Sequence, residues 1–399
     1  MGPRQALGTA SRRLDALVAA TPPDRDRYVD LLRVIAIGVV IAWHWSLSVL
    51  YWSDGQWVMP NPIHHVPGGW LATWLLQVVP VFFMVGGYAN AAAWWAARRD
   101  GRGWPGYTRA RLQRLLVPIG VFLAVWSGFE LLAHLAVPGY RGVLSYARIA
   151  FTPLWFIVAY LWVVLLTPLT VTAHARARWW TVGALAGAVG LVDLARFGAG
   201  LTALGWLNTA LVWVLIHQLG YFCRDGWGRD RMPGRGGAAA LVAAGALALA
   251  ALTTLAAYPR SMVATVGQER SNILPTTATI AAVAVLQLGV IMLVRAPVTR
   301  WLRRPRVWKP VVAGNAVILT VFLWHMTALL VALAAVRAVG VTTRAEPTAG
   351  WWLERPLWLV GPALVLAALV AVFGRFELAS TRGTRPAGRW HNGGQANAD

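Results

Sequence analysis

About ten apolar stretches, each close to 20 residues long, are spaced along this 399-residue chain. A run of that length crosses the hydrocarbon core of a bilayer as one helix, and a soluble core has no use for ten of them. The runs fall at 29–50, 70–96, 114–136, 153–172, 180–196, 202–222, 238–257, 277–294, 311–336 and 356–374. Hydrocarbon offers no water to backbone polar groups, so each run must satisfy its own as a helix. The expected fold is all-α: a polytopic integral membrane protein of about ten transmembrane helices. Asp193 and Arg196 interrupt the fifth run.

Charge then sets orientation. The formal net charge is +21, although only 13% of residues are charged. A nucleic-acid protein gathers such charge on one face or tail. Here it lies in short clusters between apolar runs, so the expected partner is a lipid bilayer and not nucleic acid. With the N-terminus inside, 27 Lys and Arg fall on cytoplasmic segments and 8 on outer loops, leaving Arg33 within the first run. That bias puts both termini in the cytoplasm, and the plasma membrane is the expected location. The first run is too long for a cleaved signal and reads as an uncleaved first helix. The single cysteine, Cys223, excludes an intrachain disulfide and a cysteine metal cluster. No metal and no permanently bound cofactor is expected. A single lysine, Lys309, against abundant arginine and alanine points to a high-GC bacterial genome. The organisation expected is a cytoplasmic segment at 1–27, a transmembrane domain at 28–375 and a cytoplasmic tail at 376–399, disordered from Thr381. Two outer loops, 52–69 and 258–276, are longer than a turn requires. They carry Asp54, His64 and His65, and Glu269, respectively.

Ionisable side chains are expensive in hydrocarbon and mark function by default. Arg33 and His44 lie eleven positions apart in the first run, on one helix face and about 16 Å apart along the axis. Alternatively, Arg33 pairs with Asp30 or snorkels, and His44 bonds a neighbouring helix. By helical rise, His44, Glu130, Asp193 and His325 reach one level about 20 Å from the inner face, with Asn208 beside them. They either converge there or form separate pairs, Asp193 with Arg196 and Glu130 with His134. His217, near an inner helix end, reads as an interface histidine. Arg111 and Arg114, three apart, project from one face at the inner start of the third run. They suit bidentate phosphate recognition, or serve only as the topology signal. Gly86-Gly87, after Pro80, permits close approach of another helix or a thin ligand. Trp43 and Trp45 flank His44 but point to other faces.

At these residues the chain resembles the acyltransferase 3 family of integral membrane acyltransferases. Arg33 and His44 stand at the spacing of that family's first-helix arginine and histidine, and Arg111 and Arg114 match its cytoplasmic Arg-x-x-Arg pair. FFMVGGY at 82–88 resembles its FF-x-x-(S/G)-G-(F/Y) segment, with Val85-Gly86 in place of the more frequent Leu-Ser. PLWFIVAYL at 153–161 and FLWHM at 322–326 resemble its Leu-Trp-Phe segment and its late histidine helix. The resemblance covers residues 24–375. It implies transfer of an acyl group, expected to be acetyl, from cytoplasmic acyl-CoA to a hydroxyl of a carbohydrate or glycosylated acceptor. It also implies an essential His44, with Arg33, Arg111 and Arg114 holding the donor.

The chemistry agrees with that role. A hydroxyl attacks a thioester poorly unless a base takes its proton, and histidine suits that task. Donor phosphates would stay near the arginines while the thin arm runs along the first helix to His44. Glu130 or Asp193 would orient the imidazole, or His325 would bind the acceptor or support the thioester oxygen. The competing reading is a proton-coupled transporter or flippase without chemistry. It calls for inverted internal repeats, and none is evident.

Overall fold

The computed structural model describes residues 14–16, 18–19, 21–22, 25–46, 51–53, 56–58, 62–227, 232–256, 258–264, 270–341 and 348–382. Asp54, Glu269 and the tail beyond Arg382 therefore lie outside the described residues. The chain forms an all-α membrane bundle. Its helices are α1 (Arg27–Ser46), α2 (Trp70–Leu76), α3 (Val79–Arg99), α4 (Gly103–Ala136), α5 (Val143–Ala147) and α6 (Leu154–Gly198). There follow α7 (Gly205–Trp227), α8 (Arg235–Leu255), α9 (Ala278–Trp301), α10 (Pro305–Ala316), α11 (Ile318–Ala338) and α12 (Ala349–Arg382). A small antiparallel ribbon, β1 (Tyr51–Ser53) with β2 (Gln56–Val58), follows α1.

Among the described residues, nine helical segments are long and apolar enough to cross a membrane. One of them carries two of the ten expected spans. Its 45 residues would reach about 67 Å if straight, twice the hydrocarbon thickness. The backbone leaves the helical region at Arg178, at φ 23° and ψ −96°. The contacts with α7 show a fold-back. Trp155, Thr170 and His174 meet Trp213, Tyr221 and Asp225 in parallel order. Beyond the kink, Trp179 meets Phe222 while Asp193 reaches back to Asn208. The two halves of α6 are thus antiparallel, as the separate runs at 153–172 and 180–196 require.

Two expected spans are broken. The run 70–96 splits at Gln77–Val78 into α2 and α3, where Pro80 has no N–H to continue a ladder. Gln287 Nε2 donates to the carbonyls of Leu75 and Gln77 at 3.1 and 2.9 Å, which satisfies the break. The run 311–336 splits at Val317 into α10 and α11. The last span also runs past its expected end at 374. Glu377, assigned by composition to the tail, is a buried residue of α12 only 2% exposed.

Burial separates core from lipid-facing helices. Only 17% of the apolar window is buried in Gly103–Ala136, Arg235–Leu255 and Ala349–Ser380, against 61% in Trp70–Arg99 and Ile318–Ala338. Leu131, Leu132, Leu135, Leu353, Leu357 and Leu364 are exposed on the former, the surface that a hydrocarbon solvent permits. Helix α1 packs against α3, α9, α10, α11 and α12. The α3–α7 crossing is closest at Gly87 and Gly220. A Cβ at either would collide with backbone oxygen, that of His217 or Met84.

The fold-back predicts a labelling pattern. Cys223 is buried, so single introduced cysteines can be read without background. Asp100→Cys and Arg178→Cys should react with an impermeant maleimide from one side of the membrane, and Tyr140→Cys and Gly340→Cys from the other. Labelling of Arg178→Cys from the side of Tyr140→Cys would contradict the hairpin.

Candidate active site

His44 occupies the last turn of α1 and His325 lies two turns into α11. Their rings are nearly parallel and meet edge to edge, 5.1 Å between centroids, with His44 Nδ1 2.8 Å from His325 Nε2. His325 is completely buried, whereas His44 is partly exposed. The other ring nitrogen of His325 bonds the Phe322 carbonyl, an obligate acceptor. His325 Nδ1 therefore carries a proton. With both rings neutral, His325 Nε2 accepts and His44 Nδ1–H donates. His44 Nε2 is left with its lone pair. Trp45, expected to point elsewhere, donates from Nε1 to the His325 carbonyl at 3.1 Å and so fixes the backbone of the second histidine.

A cavity of about 650 Å³ lies on the arginine-rich side of this pair. It follows α3 from Arg99 to Phe82, about 26 Å of helix. Arg25, Arg99 and Arg224 line it at helix ends, and Arg33, Arg111 and Arg114 line it further in. Its carboxylates are already committed. Asp30 pairs with Arg25 and lies 3.6 Å from Arg33. Asp26 binds Arg295 and the amides of Tyr28 and Val29. Asp225 is held by His174 and Arg224. Among the described residues, Arg99, Arg111 and Arg114 have no carboxylate partner within ion-pair distance. Arg111 donates to the Ala89 carbonyl at 2.7 Å, yet its buried Nε has no partner. An unmatched buried guanidinium N–H in a cationic cavity suits an anionic group.

The structure divides the remaining candidates. Arg33 donates to Asn315 Oδ1 at 3.3 Å, and Asn315 Nδ2 donates to the Asp30 carbonyl at 2.9 Å, so the α10–α11 break holds the first-helix arginine. Glu130 does not join the histidines. Its carboxylate accepts from Tyr140 and from Val143 N at 2.9 and 2.8 Å, at the mouth of α5. Phe122, eight residues earlier on α4, meets Trp324, so Glu130 lies about 12 Å further along the axis. Asp193 is also spent elsewhere. It accepts from Asn208, Tyr258 and Ala278 N at 2.7, 2.9 and 2.8 Å and so anchors the start of α9. Burial, reinforced by the Asp193 charge, raises the Tyr258 phenol and keeps it a donor. His217 sits between Asn90 and Tyr221 as an interface histidine. Gly86 and Gly87 make room for Tyr160 and for the α7 backbone.

A family model for the acyltransferase domain, of the acyltransferase 3 type, matches residues 26–374. The chain belongs to the acyltransferase 3 family. No curated protein and no solved structure matches it. Family membership supports an acyltransferase in a multi-pass membrane protein, and the match covers the residues that line the cavity except Pro22, Arg25 and Glu377.

Glu377 was not among the sequence candidates. It accepts from Leu319 N, Thr320 N and Thr320 Oγ1 at 3.1, 2.8 and 2.7 Å and lines the cavity. Helix α11 has no side-chain cap of its own, so a neighbouring helix supplies one. The available signal was spacing, since Val370, Phe373 and Glu377 share one helix face. Glu377→Ala should strand buried amides at about 1–3 kcal/mol each and visibly lower the thermal unfolding temperature in detergent. Glu377→Gln, which keeps an acceptor, should lose much less. Equal stability of wild type and both variants would remove the capping role.

Proposed function

We propose that this protein is a membrane O-acyltransferase that moves an acyl group, acetyl by preference, from cytoplasmic acyl-CoA to a hydroxyl of a carbohydrate or glycosylated acceptor. The proposal includes both termini in the cytoplasm and a plasma-membrane location, as the charge bias suggests. The arginine-rich end then faces the cytoplasm, where acyl-CoA is found. The observation that carries the reading is the His44–His325 bond one helical turn beyond the inner end of the arginine-lined cavity.

In this reading, Arg33, Arg111 and Arg114 hold the donor phosphates, and the thin arm follows α1 and α3 inward. The acceptor hydroxyl approaches the partly exposed His44. His44 Nε2 takes its proton as the oxygen attacks the thioester carbon. The C–S bond breaks as the tetrahedral intermediate collapses, and the imidazolium returns the proton to the departing thiolate. An ester and free CoA result. His325 accepts the Nδ1–H of His44 and passes polarisation to the Phe322 carbonyl. It thereby takes the orienting role first assigned to Glu130 or Asp193.

Membranes incubated with labelled acetyl-CoA and candidate glycan acceptors test this reading. His44→Ala should lower transfer roughly 10²–10⁴-fold at normal expression, and His44→Gln nearly as far. Arg111→Ala and Arg114→Ala should instead raise KM for the donor. Lysine should rescue poorly, because it lacks the planar fork. Near-normal transfer by folded His44→Ala would remove the general base. Proton-dependent solute uptake without any acyl transfer by wild type would favour a transporter.

A further inference from the structure

Residues 295–309, RAPVTRWLRRPRVWK, form the corner between α9 and α10 and hold six cations and no carboxylate. Two of the cations are committed, Arg295 to Asp26 at 2.9 Å and Lys309 to Asp15 at 2.6 Å. Arg300, Arg303, Arg304 and Arg306 are exposed. The corner itself is pinned. Leu302 is 0% and Trp308 1% exposed, and Trp308 Nε1 donates to Thr21 Oγ1 at 3.2 Å. Arg27 of α1 donates to the Leu302 carbonyl at 3.1 Å and lies over the Trp308 ring. Helix α9 sets the depth. Val294 and Trp301, seven apart and so on one helix face, are 42% and 48% exposed. A lipid-facing stripe that ends in tryptophan ends at the headgroup level. The four arginines therefore flank a membrane-interface anchor.

We infer that Arg300, Arg303, Arg304 and Arg306 form a docking surface for the headgroups of anionic phospholipids, and that docking there steadies α10 and its hold on Arg33. A guanidinium meets a phosphodiester with paired N–H donors, and the neighbouring Trp301 ring suits the boundary between headgroup and acyl chain. Basic residues clustered beside a transmembrane helix attract an anionic leaflet, and each changes occupancy about fivefold. The positive-inside bias explains the sign of these charges. It does not call for a corner with buried anchors among them, nor for the bonds that lead away from it. Helix α10 begins at this corner and reaches Asn315, which accepts from Arg33 and donates to the Asp30 carbonyl. With Arg27 on Leu302, this segment grips the first two turns of α1 at both Arg27 and Arg33. Lipid that fixes the start of α10 therefore restrains both contacts. None of this depends on what the cavity binds.

The test uses the full chain in nanodiscs of phosphatidylcholine alone or with about 30% phosphatidylglycerol. A photoreactive phosphatidylglycerol should crosslink within residues 300–309 roughly tenfold more than a photoreactive phosphatidylcholine. Amides of α10 should exchange with deuterium several times more slowly in the anionic discs. Arg300→Gln/Arg303→Gln/Arg304→Gln/Arg306→Gln should lower the crosslinking roughly tenfold and abolish the slowing, while the same four changes to lysine keep both. Arg109→Gln/Arg176→Gln, on other helices, should change neither. If the fourfold glutamine variant does not fold, Arg303→Gln/Arg306→Gln must lower the crosslinking roughly fivefold. Equal crosslinking by the two lipids, or a folded fourfold glutamine variant that keeps the crosslinks, would overturn the docking surface. Identical exchange of α10 in both discs would overturn the steadying of Arg33. Slowing of α10 in phosphatidylcholine discs by dissolved glycerol 3-phosphate would assign the surface to a soluble phosphate and overturn the bilayer lipid as its partner.

Discussion

The hydrogen bond between His44 and His325 is the contact around which the site is arranged. Two helices far apart in sequence must meet at one depth to make it, and several other bonds fix their positions. Trp45 holds the His325 carbonyl, Asn315 ties the start of α1 to the end of α10, and Glu377 caps the first turn of α11. Each of these groups would be costly in an apolar interior without its partner. Their mutual satisfaction turns that cost into a fixed geometry. The Phe322 carbonyl then decides which nitrogen of each imidazole carries a proton.

Electrostatics divides the site into two compartments. Among the described residues, six arginines line the cavity, and the carboxylates among them are already bonded to amides, to His174 or to other arginines. The surplus positive charge is concentrated on Arg99, Arg111 and Arg114, which suits an anion held away from the histidines. Phe82, Phe156 and Phe322 line the same cavity at its aromatic end, where Phe322 lies 5.6 Å from the His325 ring. A donor with a charged head and a thin neutral arm matches this division.

Much of the architecture was legible in the sequence because hydrocarbon demands long apolar helices. The hairpin within Leu154–Gly198 was visible because the sequence separates two apolar runs, 153–172 and 180–196, with Arg176 and Arg178 between them. The breaks at Gln77 and Val317 were not. Their freed polar groups are met by Gln287 or by bonds around Asn315, partners that no local pattern announces. Depth counting put His44 and His325 on one level, and the structure joins them. It put Glu130 and Asp193 there too, but depth carries no direction around the bundle, and both carboxylates serve amides at other helix starts. Glu377 was missed because a charge after the last apolar run reads as the beginning of a tail. Its partner, the uncapped start of α11, becomes apparent only once the helices are packed.

The central claim is that His325 fixes His44 with its Nδ1 protonated and its Nε2 free to accept a proton. Nitrogen-15 NMR of histidine-labelled protein in lipid measures this directly, because protonated and bare ring nitrogens resonate far apart. The chain has eight histidines, and the His44 signals follow from the difference with His44→Ala. The account predicts a protonated Nδ1 and a bare Nε2 for His44, with the tautomer lost or mixed in His325→Ala. A His44 with bare Nδ1 and protonated Nε2 in the wild-type protein would contradict it.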